Sequence, residues 1–94
     1  MANDTVIFRL HAVQRMLLRD ISREDVHKAL QTGEVIETYP QDKPYPSRLL
    51  LSWRGARPIH VVVADNLEEE TVIIITVYEP DLATWQIGYK RRSS

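Results

Sequence analysis

Cysteine is absent from the 94 residues. That absence excludes a disulfide scaffold, thiolate ligation of zinc and a cysteine nucleophile, and it accords with a reducing compartment. Glycine is scarce. Its three copies, Gly33, Gly55 and Gly88, stand too far apart to form a GxGxxG turn or a P-loop. No serine-centred nucleophile elbow is present. The histidines His11, His27 and His60 show neither HxH nor HExxH spacing, so neither a metal site nor a cofactor is expected. Long apolar runs are also missing. The most apolar stretch, Val72–Val77, is too short to cross a bilayer. The opening MANDTVIFRLHAVQRM is broken by His11, Gln14 and Arg15, so neither a signal peptide nor an anchor is expected. The location predicted by elimination is the cytoplasm, with no membrane contact.

An excess of base is lacking too: 12 Lys and Arg face 13 Asp and Glu, for a formal net charge of −1. Proteins that hold nucleic acid by neutralising phosphates are usually clearly basic. The global charge therefore counts against a free-standing nucleic-acid binder. The distribution leaves room for a local basic surface. Acid gathers at Asp65 and Glu68–Glu70, and base at Arg9, Arg15, Arg19 and Lys90–Arg92.

What is present is an ordinary globular composition, 44% hydrophobic and 27% charged. The length predicts one domain over residues 1–94 with a real core and little surplus stability. Leu10, Val13, Met16 and Leu17 recur at helical spacing and predict a helix over Leu10–Arg19, with His11, Arg15 and Arg19 sharing one of its faces. A second helix is predicted over Arg23–Thr32. Ser22 is its N-cap, Glu24 and Asp25 put acid in its first turn, Ile21 and Val26 form a hydrophobic staple, and Gly33 suits C′.

Beyond Gly33 the period changes to two. Strands are predicted over Glu34–Tyr39, Arg48–Arg54, Pro58–Asp65 and Val72–Tyr78, the last apolar enough on both faces to be central. Three prolines keep Pro40–Pro46 out of regular pairing. Thr5–Phe8 reads as a strand or as a lead-in to the first helix. Asp81–Gln86 reads as one helical turn, and residues 88–94 as a short strand fraying into a basic tail. The fold class is α+β: two N-terminal helices packed on one face of a mostly antiparallel sheet of four to five strands.

Strand alternation then sorts the polar residues. If Ile59, Val61 and Val63, with Ile73, Ile75 and Val77, face the helices, His60 and Tyr78 project together from the open side. Val35, Glu37 and Tyr39 join them if Ile36 points inward. Arg48, Arg54 and Arg57 lie nearby in sequence order. Metal-free RNA cleavage needs a base for the 2′-hydroxyl proton, an acid for the leaving 5′-oxygen and cations for the phosphate. Imidazole suits either proton role, and the guanidinium fork suits the phosphate. Each residue also has a plainer reading: His60 as a half-buried sheet residue, Tyr78 as a core ring with its hydroxyl at the rim, Arg15 and Arg19 as a solvated helix face, His11 as a packing residue, and Trp53 and Trp85 as anchors.

Several strings also occur together in order. They are His11-Ala-Val-Gln-Arg15-Met16, Arg19-Asp-Ile21-Ser22, Gly33-Glu34-Val-Ile36-Glu37-x-Tyr39-Pro40, Pro44-x-Pro46-Ser47, Arg57-Pro58-x-His60-Val61-Val62, and Ile75-Thr76-Val77-Tyr78-Glu79-Pro80-Asp81 followed by Trp85. From about His11 to Trp85 the chain resembles the bacterial and archaeal family catalogued as domain of unknown function 4258. The resemblance implies a distant likeness to RelE-type toxins, with two helices followed by an antiparallel sheet. It further implies metal-independent cleavage of mRNA, with RNA or the ribosome as partner and a small antitoxin protein beside it. Carried over by motif, the candidate polar positions are His11, Arg15, Glu37, His60 and Tyr78. Together with the strand reading they give His60, Tyr78, Glu37 and His11 as catalytic candidates and Arg15, Arg57 and Arg19 as phosphate-binding candidates.

A second reading is a non-catalytic module that holds a protein partner on the same face or on the Pro40–Pro46 loop. Tyr39, Tyr45 and Trp53 around that loop favour it, since aromatic residues are enriched at interfaces. A third is self-association, as a homodimer, through an exposed strand edge.

Overall fold

The computed structural model describes residues 5–93. Met1–Asp4 and Ser94, which the N-terminal and C-terminal expectations include, lie outside the described residues. The chain runs β1 (Thr5–Phe8), α1 (Leu10–Arg19), α2 (Arg23–Thr32), β2 (Glu34–Tyr39), β3 (Ser47–Arg54), β4 (Arg57–Asn66) and β5 (Thr71–Tyr78). One five-stranded sheet has the order β1-β5-β4-β3-β2. The fold is α+β as expected, but the sheet is mixed. Thr5–Phe8 is a strand, and it pairs parallel to β5 at one edge while the remaining pairs are antiparallel.

Local chemistry explains both helices. Helix α2 begins with a complete capping box: Ser22 Oγ accepts the Asp25 N–H at 3.0 Å, and Asp25 Oδ2 accepts the Ser22 N–H at 2.9 Å. The staple residues Ile21 and Val26 are both buried in the core. Gly33 ends the helix for a different reason from the one expected. Its φ of −67° is ordinary extended backbone, but a Cβ there would stand 2.4 Å from the Ala29 carbonyl oxygen. Helix α1 has no side-chain N-cap and ends at Asp20, whose left-handed φ of 56° lets Ile21 N–H reach the Met16 carbonyl. Its buried residues are Ala12 and Met16. The expected stripe is displaced, because Leu10 and Leu17 are 71% and 77% exposed.

The core lies between the helices and one face of the sheet, where Val26, Ala29 and Met16 meet Leu50, Ile59, Val61, Val63, Val72, Ile74 and Val77. In β4 the alternation is as expected. In β5 it is not: pairing steps from Val62↔Thr76 to Val63↔Ile74, leaving Ile75 as an extra residue. That bulge puts Val72 and Ile74 on the same face as Val77. A second irregularity in β2 leaves Ile36 without a partner, so Val35 pairs with Leu50 and departs from the face that holds Glu37 and Tyr39.

The opposite face is covered at one end. Asp81–Trp85 makes one helical turn, closed by the Trp85 N–H on the Asp81 carbonyl at 3.0 Å. Residues 88–93 do not form the expected strand or trail away from the sheet. They fold back, with an isolated bridge between Trp85 and Arg92 and with Ser93 N–H donating to the Thr84 carbonyl at 2.7 Å. Among the described residues, no helix is long and apolar enough to cross a membrane.

Candidate functional site

Antiparallel pairing sets His60 opposite Tyr78. Their side chains meet: His60 Nδ1 lies 3.1 Å from the Tyr78 hydroxyl, with the rings edge to face at 5.2 Å. This surface is not open, however. Trp85 stands perpendicular over the imidazole at 4.4 Å, the Tyr89 carbonyl oxygen is 2.9 Å from His60 Nε2, and His60 is 0% exposed. A carbonyl oxygen only accepts, so Nε2 carries the ring proton and Nδ1 accepts the Tyr78 O–H. Burial pushes the His60 pKa below its ordinary 6.5, with the Tyr89 carbonyl and Glu37 opposing in part. Burial likewise pushes the Tyr78 phenol up. The pair is thus a neutral imidazole holding a protonated phenol.

Glu37 reaches the same neighbourhood from β2. Its carboxylate accepts the Tyr39 hydroxyl and is clasped by Arg92, with Nε–Oε2 at 3.2 Å and Nη2–Oε1 at 3.3 Å. Burial alone would raise this carboxyl. The Tyr39 and Arg92 contacts outweigh it and hold Glu37 below its usual range. The Arg92 guanidinium also lies 4.7 Å from the centre of the Trp85 ring, and Lys90 pairs with Glu34 at 3.1 Å. Three contacts of different kinds therefore fasten the C-terminal segment over the sheet: the imidazole, the Glu37–Arg92 clasp and the Lys90–Glu34 pair.

Tyr78 is only half-buried and lines two adjoining clefts. The first, about 450 Å³, is formed with Arg15, Leu18 and Arg19 of α1 and with Glu79 and Asp81. The second, about 280 Å³, lies between Tyr78, Asp81, Thr84, Trp85 and Arg92. Arg15 and Arg19, one helical turn apart, have no ion-pair partner among the described residues. Glu79 is held by Arg54 at 2.9 Å and by Arg57 at 2.8 Å, so two guanidinium groups oppose its charge.

Of the residues expected to act, the structure brings Arg15, Arg19 and Tyr78 into one cleft, with His60 directly behind Tyr78. Arg57 touches the cleft only through Glu79. Glu37 stands on the far side of Arg92. His11 is exposed on α1 and lines neither cleft. The aromatic cluster expected around the Pro40–Pro46 loop does not form. Tyr45 accepts a hydrogen bond from Asn66 at 2.9 Å, Tyr39 turns to Glu37, and Trp53 packs on Tyr89 at the other end of β3. Asp81, Trp85, Tyr89 and Arg92 were missed as site residues. Asp81 and Trp85 stand in the strings that carry the family resemblance, whereas the signal for Tyr89 and Arg92 is only the aromatic and basic character of a segment with no periodicity. Among the described residues, no group of three His, Cys, Asp or Glu side chains is placed to hold a metal ion.

Compared with known proteins, residues 8–79 match the family described as Domain of unknown function (DUF4258). That is more than half of the chain, and it ends just before the covering segment. No curated protein matches, and no solved structure does.

Proposed function

The chain belongs to the DUF4258 family, and from that premise and the geometry of the cleft we propose a toxin-like, metal-independent endoribonuclease acting on mRNA. The observation that carries the reading is a phenol backed by a neutral imidazole, lining a cleft with two arginines that have no ion-pair partner among the described residues. Arg15 and Arg19 hold the scissile phosphate and offset the charge that builds on it. His60 Nδ1 accepts the hydrogen bond of the Tyr78 hydroxyl, so the phenol oxygen has lone pairs free for an incoming 2′-hydroxyl. As that hydroxyl gives its proton to Tyr78, the Tyr78 proton passes to His60 Nδ1. The 2′-oxygen attacks phosphorus, a 2′,3′-cyclic phosphate forms, and the departing 5′-oxygen takes a proton from water; the hydroxide left is neutralised by the proton that returns from His60 through Tyr78. The Tyr89 carbonyl fixes the tautomer this requires, and Glu37 lies where it favours the transient imidazolium. His60 acts through Tyr78 and is a positioning and proton-accepting residue behind it. The distant likeness to RelE-type toxins that the sequence motifs imply belongs to this proposal, as does a small antitoxin protein as the neutralising partner.

Induced expression in a bacterial host is expected to arrest growth and to leave mRNA fragments ending in 2′,3′-cyclic phosphate. The same expression of Tyr78→Phe is expected to do neither. Harmless expression of the wild type with intact RNA removes the enzyme reading. The binding-module reading is favoured by a separate observation, the exposed leucines of α1, and it predicts that harmless outcome.

A further inference from the structure

Strand β1 is a short sheet edge. Its four residues, Thr-Val-Ile-Phe, contain no charge and no proline, two of the devices that usually blunt an edge. The Thr5 N–H donates to the Glu70 carbonyl at 3.1 Å and the Arg9 N–H to the Ile74 carbonyl at 3.1 Å. Strand alternation therefore turns the backbone groups of Val6 and Phe8 outward. Among the described residues nothing pairs with them.

Beside this edge the helix-packed face continues into an empty groove of about 590 Å³, lined by Val6, Phe8, Val13, Met16, Leu17 and Ile21. Val13 is 37% exposed and Leu17 77%. Among the described residues the only charged one lining the groove is Arg23, whose guanidinium lies 5.6 Å from the centre of the Phe8 ring. Arg15 and Arg19 of α1 line the Tyr78 cleft instead, so Arg23 alone sets the sign of charge over this apolar floor.

We infer that the outer edge of β1 and the adjoining groove receive an extended, apolar and acidic segment of another protein, which adds to the sheet as a sixth strand. Main-chain bonds to Val6 and Phe8 would supply the pairing. Alternate side chains would enter the groove, and an acid would meet Arg23. A second copy of this chain is a poorer occupant, because its β1, Thr-Val-Ile-Phe, carries no acid to meet Arg23. The inference stands apart from the RNA reading and survives its failure.

The test titrates two blocked octapeptides into the isotope-labelled full chain, one alternating valine with glutamate and one alternating valine with lysine. The expected result is amide shifts centred on Val6, Phe8 and Arg23, with slowed exchange of the Val6 and Phe8 amides. The glutamate peptide should bind roughly tenfold more tightly than the lysine peptide, as loss of one charge-assisted contact implies, and Arg23→Ala should erase that preference. Shifts centred elsewhere, equal affinity for the two peptides, or no binding would overturn the inference. So would concentration-dependent protection of the Val6 and Phe8 amides without peptide, since it would identify a second copy as the occupant.

Discussion

Replacing His60 by phenylalanine separates the two ways in which the imidazole holds the C-terminal segment. Phenylalanine keeps a planar ring under Trp85 and beside Tyr78, where the native contacts are 4.4 and 5.2 Å. It removes both hydrogen bonds, from Nε2 to the Tyr89 carbonyl and from the Tyr78 hydroxyl to Nδ1. A buried acceptor left without a donor costs about 1–3 kcal/mol. The half-buried Tyr78 hydroxyl can turn to water, so the sum should lie near 2 kcal/mol. Alanine would add a cavity worth about 3–5 kcal/mol, a large share of the roughly 5–14 kcal/mol available to a chain this size, so phenylalanine is the informative replacement. With a urea m-value of about 1–1.5 kcal/mol/M for a small domain, the unfolding midpoint should fall by about 1.3–2 M. Amide exchange should quicken at Gln86, Tyr89 and Ser93, whose N–H groups bond within the covering segment. An unchanged midpoint with unchanged exchange would refute the reasoning and leave ring packing alone as the fastening.

Three further outcomes are expected. Ser22→Ala breaks the capping box of α2 and should cost about 1 kcal/mol in chemical unfolding, with no effect on the sheet face that holds His60. Gly33→Ala has an allowed φ, and at such positions the replacement usually stabilises by about 0.4–1 kcal/mol; here the 2.4 Å approach to the Ala29 carbonyl should reverse the sign, as a lowered melting temperature would show. Because burial lowers the folded-state His60 pKa below 6.5, the unfolded chain binds the proton first. The stability from neutral His60 is therefore complete above pH 6.5 and should decline as pH drops below it. The Glu37 contribution is instead present above pH 4.5 and is lost as pH falls through its lower folded value. Urea midpoints from pH 8 to 2.5 for wild type, His60→Phe and Arg92→Met would resolve the two limbs.

Where a local rule was complete, the sequence was readable. Helix α2 carries its own start and stop signals, and its bounds, Arg23–Thr32, coincide with the expected ones. The His60–Tyr78 pairing was legible because alternation in β4 is unbroken and the bulge at Ile75 lies before Tyr78 reaches its partner. The bulges themselves left no mark, since an extra residue in an apolar run looks like any other. Periodicity in α1 identified a helix but placed its buried face only in part. Of the stripe Leu10, Val13, Met16 and Leu17, Met16 is in the core, yet no layer of the described chain covers the other three. The covering of His60 was least legible. It depends on Trp85, a backbone carbonyl at Tyr89 and Arg92, in a stretch of turns with no repeat. That segment also decides the site, because it leaves Tyr78 rather than His60 facing the cleft.

The most direct test of the account measures cleavage of a single-stranded RNA by the purified wild type and by Tyr78→Phe, whose ring is retained. The wild type should produce 2′,3′-cyclic phosphate ends, more slowly as pH falls toward the depressed His60 pKa. Loss of the hydroxyl should slow it by about 10²–10⁴-fold, the usual contribution of a positioned acid–base group. Equal rates for the two proteins, or no cleavage above background by the wild type, would contradict it.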